Sequence, residues 1–104
     1  MFVMKVEKFR HRNNDLQFPA IQVQPGNQND IAKWCGGTAR GRQSKRVVIL
    51  SKKDGEREAK IGDFIIKIGK SFVKVDGIAF FYIFITEEQY RKNRANRERD
   101  AVRM

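Results

Sequence analysis

The sequence predicts a small α+β domain: a mostly antiparallel sheet, one packed helix over about 28–35, and a charged C-terminal helix over about 87–103. Three observations lead there. Ala59 to Thr86 gathers most of the strand-forming residues and punctuates them with Gly62-Asp63, Gly69 and Asp76-Gly77. That is the pattern of short strands joined by tight turns, and Asp-Gly in particular suits two-residue hairpins. Ile31, Trp34 and Cys35 stand at i, i+3 and i+4, one apolar stripe closed by Gly36-Gly37. From Glu87 onward the chain turns to helix-formers and charge, with few apolar positions.

Taken in order, Phe2 to Phe9 alternates imperfectly and reads as a half-buried strand, and His11 to Asp15 as a polar turn. Phe18 to Gln24 resumes alternation through Ile21 and Val23; Pro19 marks an edge strand or a strand start, and Pro25-Gly26 closes it. Asn27 or Asn29 can cap the first helix, with Asp30 favourably placed in its first turn. Thr38 to Lys45 has no periodicity and no large apolar residue, so it reads as a mobile loop. Val47 to Leu50 is a β-branched strand, Lys53-Asp54-Gly55 a turn, and Arg57 to Ile61 a short returning strand. Phe64 to Ile68 and Phe72 to Val75 pair around Gly69-Lys70. Ile78 to Ile85 lacks alternation and reads either as a strand buried on both faces or as a short buried helical turn. Thr86 with Gln89 fits a capping box for the last helix, where Glu87–Arg91 and Glu88–Lys92 are well-oriented i, i+4 pairs. Residues 1–86 thus form one domain and 87–104 a helical extension, polar on nearly every side.

The chain has 104 residues, enough for one small domain with one core. One cysteine, Cys35, excludes an internal disulfide framework and suits a reducing compartment. The opening residues lack the apolar stretch of a signal peptide, and the eight-residue run from Ile78 to Ile85 is too short to cross a bilayer as a helix. A soluble intracellular protein with no membrane partner is expected.

Net charge is +10, from 22 basic and 12 acidic residues, and the excess is unevenly placed. Thr38 to Lys53 holds Arg40, Arg42, Lys45, Arg46, Lys52 and Lys53 with no acidic residue. Such imbalance favours polyanionic partners: nucleic acid, an acidic protein surface or anionic lipid.

The segment NQNDIAKWCGG, Asn27 to Gly37, followed by a basic strand and then AKIGDFIIKIGKSF, resembles a family of small bacteriophage and prophage proteins found especially in actinobacterial phages. Ala59, Gly62, Asp63, Phe64, Ile65 and Ile66 match its central segment, Phe72 the aromatic that follows, and Phe80 and Phe84 the closing aromatic pair. Ile68 stands where a glycine is usual, and the Pro-Asp before the closing pair is absent. The resemblance covers about residues 17–85, and its matching residues have the character of turns and core. It implies a phage origin and a small α+β fold and names no reaction; for an intracellular phage protein the expected location is the host cytoplasm.

No catalytic constellation is visible. One cysteine and one histidine, Cys35 and His11, lie on different segments without a flanking signature, and they cannot fill a tetrahedral metal site. Cys35 lies on the apolar stripe and reads as a small packed hydrophobe. Asp63 reads as a turn residue, and no phosphate-binding glycine loop has the required spacing. A non-enzyme without cofactor or metal is expected.

Arg40-Gly41-Arg42 sets two guanidinium groups on a backbone free to approach closely, which suits phosphates or a narrow minor groove. Lys45, Arg46, Lys52 and Lys53 extend that footprint, so DNA is the first expected partner. The alternative is a host protein, docked and inhibited through the terminal helix with Arg91, Lys92, Arg94, Arg97 and Arg99, or through exposed aromatics; a minor virion component is a third reading. Most of the aromatics sit in apolar runs and should pack in the core. Phe81 and Tyr82, if exposed, would mark a protein-binding patch.

Overall fold

The computed structural model describes residues 6–12, 16–42, 45–86 and 88–92. It is an α+β fold with two antiparallel sheets. The larger has five strands, β1 (Glu7–His11), β2 (Gln17–Gln22), β6 (Phe64–Ile68), β7 (Ser71–Val75) and β8 (Phe84–Thr86), in the order β7-β6-β2-β1-β8. The smaller has three, β3 (Thr38–Arg40), β4 (Val47–Ile49) and β5 (Glu58–Ala59), in chain order.

Helix α1 (Gln28–Cys35) has the bounds its apolar stripe predicts, with Gly36 in the left-handed conformation at its end. Its cap differs from the expected one. Asn27 occupies the N-cap position, but its side chain turns backward: Oδ1 accepts from Gln24 N–H at 2.9 Å, and Nδ2 donates to the Gln22 carbonyl at 2.9 Å. Buried to 3 % exposure, Asn27 ties the end of β2 to the start of α1 instead of capping the helix.

The apolar residues divide into two layers, one on each face of the five-stranded sheet. Successive strand residues point to opposite faces, so β6 sends Ile65 one way and Phe64 and Ile66 the other. On the first face, Ile21, Val23 and Ile65 pack with Ile31, Ala32 and Cys35 of α1 and with Val48, Leu50 and Ala59 of the small sheet. On the second, Phe9, Ala20, Phe64 and Ile66 pack with Phe80 and Phe84. Two covered faces explain why Phe64-Ile65-Ile66 shows no alternation.

Pro19 lies in a central strand rather than an edge strand. It pairs with Lys8 of β1, but the pairing of β2 with β6 begins only at Ala20, so at residue 19 the strand has a neighbour on one side.

Two further expectations are corrected, and the open choice for residues 78–85 is resolved. Thr38 to Arg40 is a strand, not loop, pairing with Val47–Ile49. Asp76-Gly77 is not a hairpin turn: Asp76 caps a helix, α2 (Gly77–Ile83), accepting from Ile78 N–H at 2.9 Å. Residues 78–85 are accordingly helix as far as Ile83 and strand β8 from Phe84, and of α2 only Phe80 is buried.

Gly77 is required for close approach, since a Cβ there would overlap the Gly62 carbonyl in the turn before β6. Asp63 serves that turn. Its Oδ2 accepts from Lys60 N–H at 2.9 Å and lies 3.7 Å from Lys74 Nζ. After β8 the chain is helical over 88–92, started by Thr86, whose Oγ1 accepts from Gln89 N–H at 3.1 Å. No helix among the described residues is long and apolar enough to cross a membrane.

Candidate nucleic-acid interface

The basic segment forms the hairpin of β3 and β4. Cross-strand partners share a face, so Thr38, Arg40, Val47, Ile49 and Glu58 line the outer side of the small sheet, while Ala39, Val48 and Ala59 face the core. Arg40 ends β3, and Gly41 follows with φ 98°. A side chain at Gly41 would bring a Cβ within 2.7 Å of the Lys45 carbonyl, so only glycine lets the loop close this tightly.

Arg46 is what closes the loop. Its Nη1 donates to the Gly41 carbonyl at 2.8 Å, and its Nε and Nη2 donate to Asn29 Oδ1 of α1 at 3.2 and 2.7 Å. The sequence counts Arg46 among the cations that extend the phosphate footprint; in the fold its guanidinium is engaged within the protein. It acts as a brace, its fork shared between a carboxamide and a carbonyl, and its positive charge is not neutralised.

Arg40, Arg42 and Lys45 are exposed around this brace, and none forms an ion pair among the described residues. Among the six cations of the basic segment, these three are the ones that the fold brings together in the open.

Lys52 and Lys53 are not part of this group. They sit in a 3-10 turn (Lys52–Asp54) beyond the far end of β4. Lys52 lies seven positions along the chain from Lys45, up to about 23 Å of extended chain. Lys53 Nζ donates to the Lys70 carbonyl in the β6–β7 turn, and Asp54 Oδ1 accepts from Phe72 N–H at 3.1 Å. These contacts staple the turn to the large sheet.

The cations of the last helix lie elsewhere again. Arg91 and Lys92 follow β8 at the edge of the large sheet, where Lys92 is 3.5 Å from Glu88 and Arg10 lies over the Tyr90 ring at 4.2 Å. Tyr90 therefore attaches a helix that its polar composition left without an anchor. Arg94, Arg97 and Arg99, like Glu87 of the expected Glu87–Arg91 pair, lie outside the described residues.

Cys35 is 1 % exposed, with its thiol against the Ala32 carbonyl at 3.8 Å, and burial pushes its pKa up. His11 meets the Phe84 ring edge-on at 5.5 Å in the other layer, with the large sheet between it and Cys35. These two side chains do not form a nucleophile–base pair. Among the described residues no group of three or more His, Cys, Asp and Glu is placed to hold a metal.

One feature had no local signal in the sequence. Arg12, read as part of a polar turn, reaches 69 residues along the chain to donate through Nε to the Phe81 carbonyl at 3.0 Å. Beside it Ile78 and Tyr82 of α2 are 77 % and 79 % exposed, and Phe81 is 49 % exposed. The conditional expectation for Phe81 and Tyr82 is met in its first half: both are exposed.

Fold and site define a small basic α+β domain with a braced cationic hairpin. Among known proteins, no family model, no curated sequence and no solved structure matches this chain.

Proposed function

We propose that this chain is a non-enzymatic phage accessory protein that binds DNA through the tip of the β3–β4 hairpin. The observation that carries the reading is the hairpin itself: Arg40, Arg42 and Lys45 exposed with no carboxylate partner among the described residues, beside Arg46, which is held against Asn29 and the Gly41 carbonyl. A cation that the protein leaves unpaired keeps its full attraction for an external anion, and a held loop loses less entropy on binding. Gly41 lets the backbone between the two arginines come close to a phosphate, and each guanidinium can take two phosphate oxygens. Contacts of this kind position a duplex without reading its bases; any base preference falls to Arg40 and Arg42 in the minor groove. The phage setting rests on the sequence resemblance alone.

The test is a mobility-shift titration with a mixed-sequence duplex at several salt concentrations. With three phosphate contacts the logarithm of affinity should fall with the logarithm of salt at a slope of about −2.7. Arg40→Ala with Arg42→Ala should weaken binding at low salt and flatten the slope by about two. Binding insensitive to salt, or unchanged in the double variant, rejects the reading.

A further inference from the structure

Helix α2 is covered on one side only. Phe80 is fully buried, stacked on Phe64 at 3.7 Å and on Phe84 at 5.0 Å. The other side carries Ile78, Phe81 and Tyr82 into solvent. Single exposed apolar residues are ordinary, but here three are contiguous on two helical turns. Phe81 is held in place, edge-on to Phe64 and to Phe80 at 5.4 Å each. Arg12 stands at the C-terminal end of the helix, its backbone N–H on the Ile83 carbonyl at 2.9 Å and its Nε on the Phe81 carbonyl. Arg12, Gly77, Ile78, Phe81 and Tyr82 line one shallow groove.

We propose that this groove docks an acidic, apolar segment of another protein, its aromatic or aliphatic side chains lying on Ile78, Phe81 and Tyr82 and a carboxylate pairing with Arg12. Charge complementarity selects that occupant. Among the described residues that line the groove, Arg12 is the charged one, and Asp76 at the other end of α2 turns its Oδ1 to the Ile78 N–H and is not part of the lining. The whole chain carries +10, which repels a second copy and draws an acidic partner. An apolar anchor beside a positioned arginine is the composition of interface hot spots. The groove lies on the face of the large sheet opposite the cationic hairpin, since α2 packs on Phe64 and Ile66 while α1 and the small sheet pack on Ile65. Docking here is therefore independent of DNA binding.

The test is selection of a displayed library of random 12-residue peptides on the full chain, followed by fluorescence-anisotropy titration of the enriched peptides. Enriched sequences should combine Leu, Phe or Trp with Asp or Glu. Their affinity should fall at least tenfold in Tyr82→Ala, in Ile78→Ala and in Arg12→Glu, and stay within twofold in Arg40→Ala with Arg42→Ala. Tyr82 and Ile78 are exposed enough for their substitution to leave the fold intact, and a thermal melt of each variant verifies it. No enrichment, enrichment of basic peptides, or affinity unchanged in Tyr82→Ala and Ile78→Ala overturns the proposal. So does Tyr82-dependent sedimentation with phosphatidylglycerol vesicles, which would assign the face to lipid. Absence of salt-dependent DNA binding by the wild-type chain, with peptide binding intact, would reject the hairpin reading and leave this one standing.

Discussion

Arg46 and Asn29 meet across 17 residues of sequence, two guanidinium nitrogens of the one on the side-chain oxygen of the other at 3.2 and 2.7 Å. The pair joins the cationic hairpin to the first turn of α1. Asn29→Ala and Arg46→Ala should each lower stability by about 0.5–1.5 kcal/mol, the range of hydrogen bonds that a mutant leaves unmade. Because Arg46→Ala removes the contact with Asn29 as well as the one with the Gly41 carbonyl, the double variant should cost little more than Arg46→Ala alone. A urea-denaturation double-mutant cycle measures this, and strict additivity would show that the two side chains are not coupled.

The separation of the basic residues predicts an unequal response of DNA affinity. Lys52→Ala with Lys53→Ala should change affinity by less than about threefold, since those ammonium groups lie beyond the far end of β4 and Lys53 already serves the Lys70 carbonyl. Arg40→Ala with Arg42→Ala should cost more than tenfold at low salt. A duplex titration of both variants side by side decides; equal losses would mean one continuous footprint along the small sheet.

Gly77→Ala should destabilise the protein by about 1–3 kcal/mol, the usual cost of forcing extra atoms into a packed site. The added methyl meets a backbone carbonyl, that of Gly62, which cannot rotate out of the way. The shift in urea midpoint at unchanged m-value measures it, and a midpoint equal to wild type would contradict the close packing of the start of α2 on the Gly62 turn.

Two aromatic residues two positions apart should behave in opposite ways. Phe80→Ala removes a fully buried ring that touches Phe9, Phe64 and Phe84, and should cost about 3–5 kcal/mol. Tyr82→Ala should stay within about 0.5 kcal/mol, because its ring is 79 % exposed. Thermal melts of the two variants read the contrast directly.

Cys35 predicts an alkaline limb in stability. Burial raises its pKa above the ordinary thiol value of 9.0. Below that value the thiol is protonated in both states and its contribution is complete. As pH rises past it, the unfolded chain releases the proton while the folded chain retains it, so stability declines until the folded thiol also ionises. Cys35→Ala should flatten stability between pH 8 and 10 relative to wild type, measured by urea titration at each pH. An unchanged pH dependence would place the limb in other groups.

Much of the fold follows from local rules. The stripe Ile31, Trp34, Cys35 with Gly36 behind it places α1 at about 28–35, where it lies, and the Phe64–Ile68 and Ser71–Val75 hairpin follows from apolar runs flanking Gly69-Lys70. Tertiary contacts overrode local signals at Thr38–Arg40, which is a strand because Val47–Ile49 supplies its hydrogen-bond partners, and at Asp76-Gly77, whose turn chemistry starts a helix. A short uninterrupted apolar run such as Ile78 to Ile85 carries no period, so only what covers it decides its form. Phe64 and Phe9 take in Phe80 and leave Ile78 and Tyr82 outside.

The sequence by itself determined that the chain is basic, that its excess charge gathers between Thr38 and Lys53, and that small strands and one helix surround an apolar core. These are properties of composition and short-range pattern, which survive in any conformation. Tertiary structure alone decided which of the basic segment's charges are engaged among the described residues, because that depends on neighbours distant in the chain: Asn29 and the Gly41 carbonyl hold Arg46, the Lys70 carbonyl takes Lys53, and Arg40, Arg42 and Lys45 are exposed. It also decided the exposed face of α2 with Arg12 at its end, a juxtaposition that exists only after the chain has closed on itself.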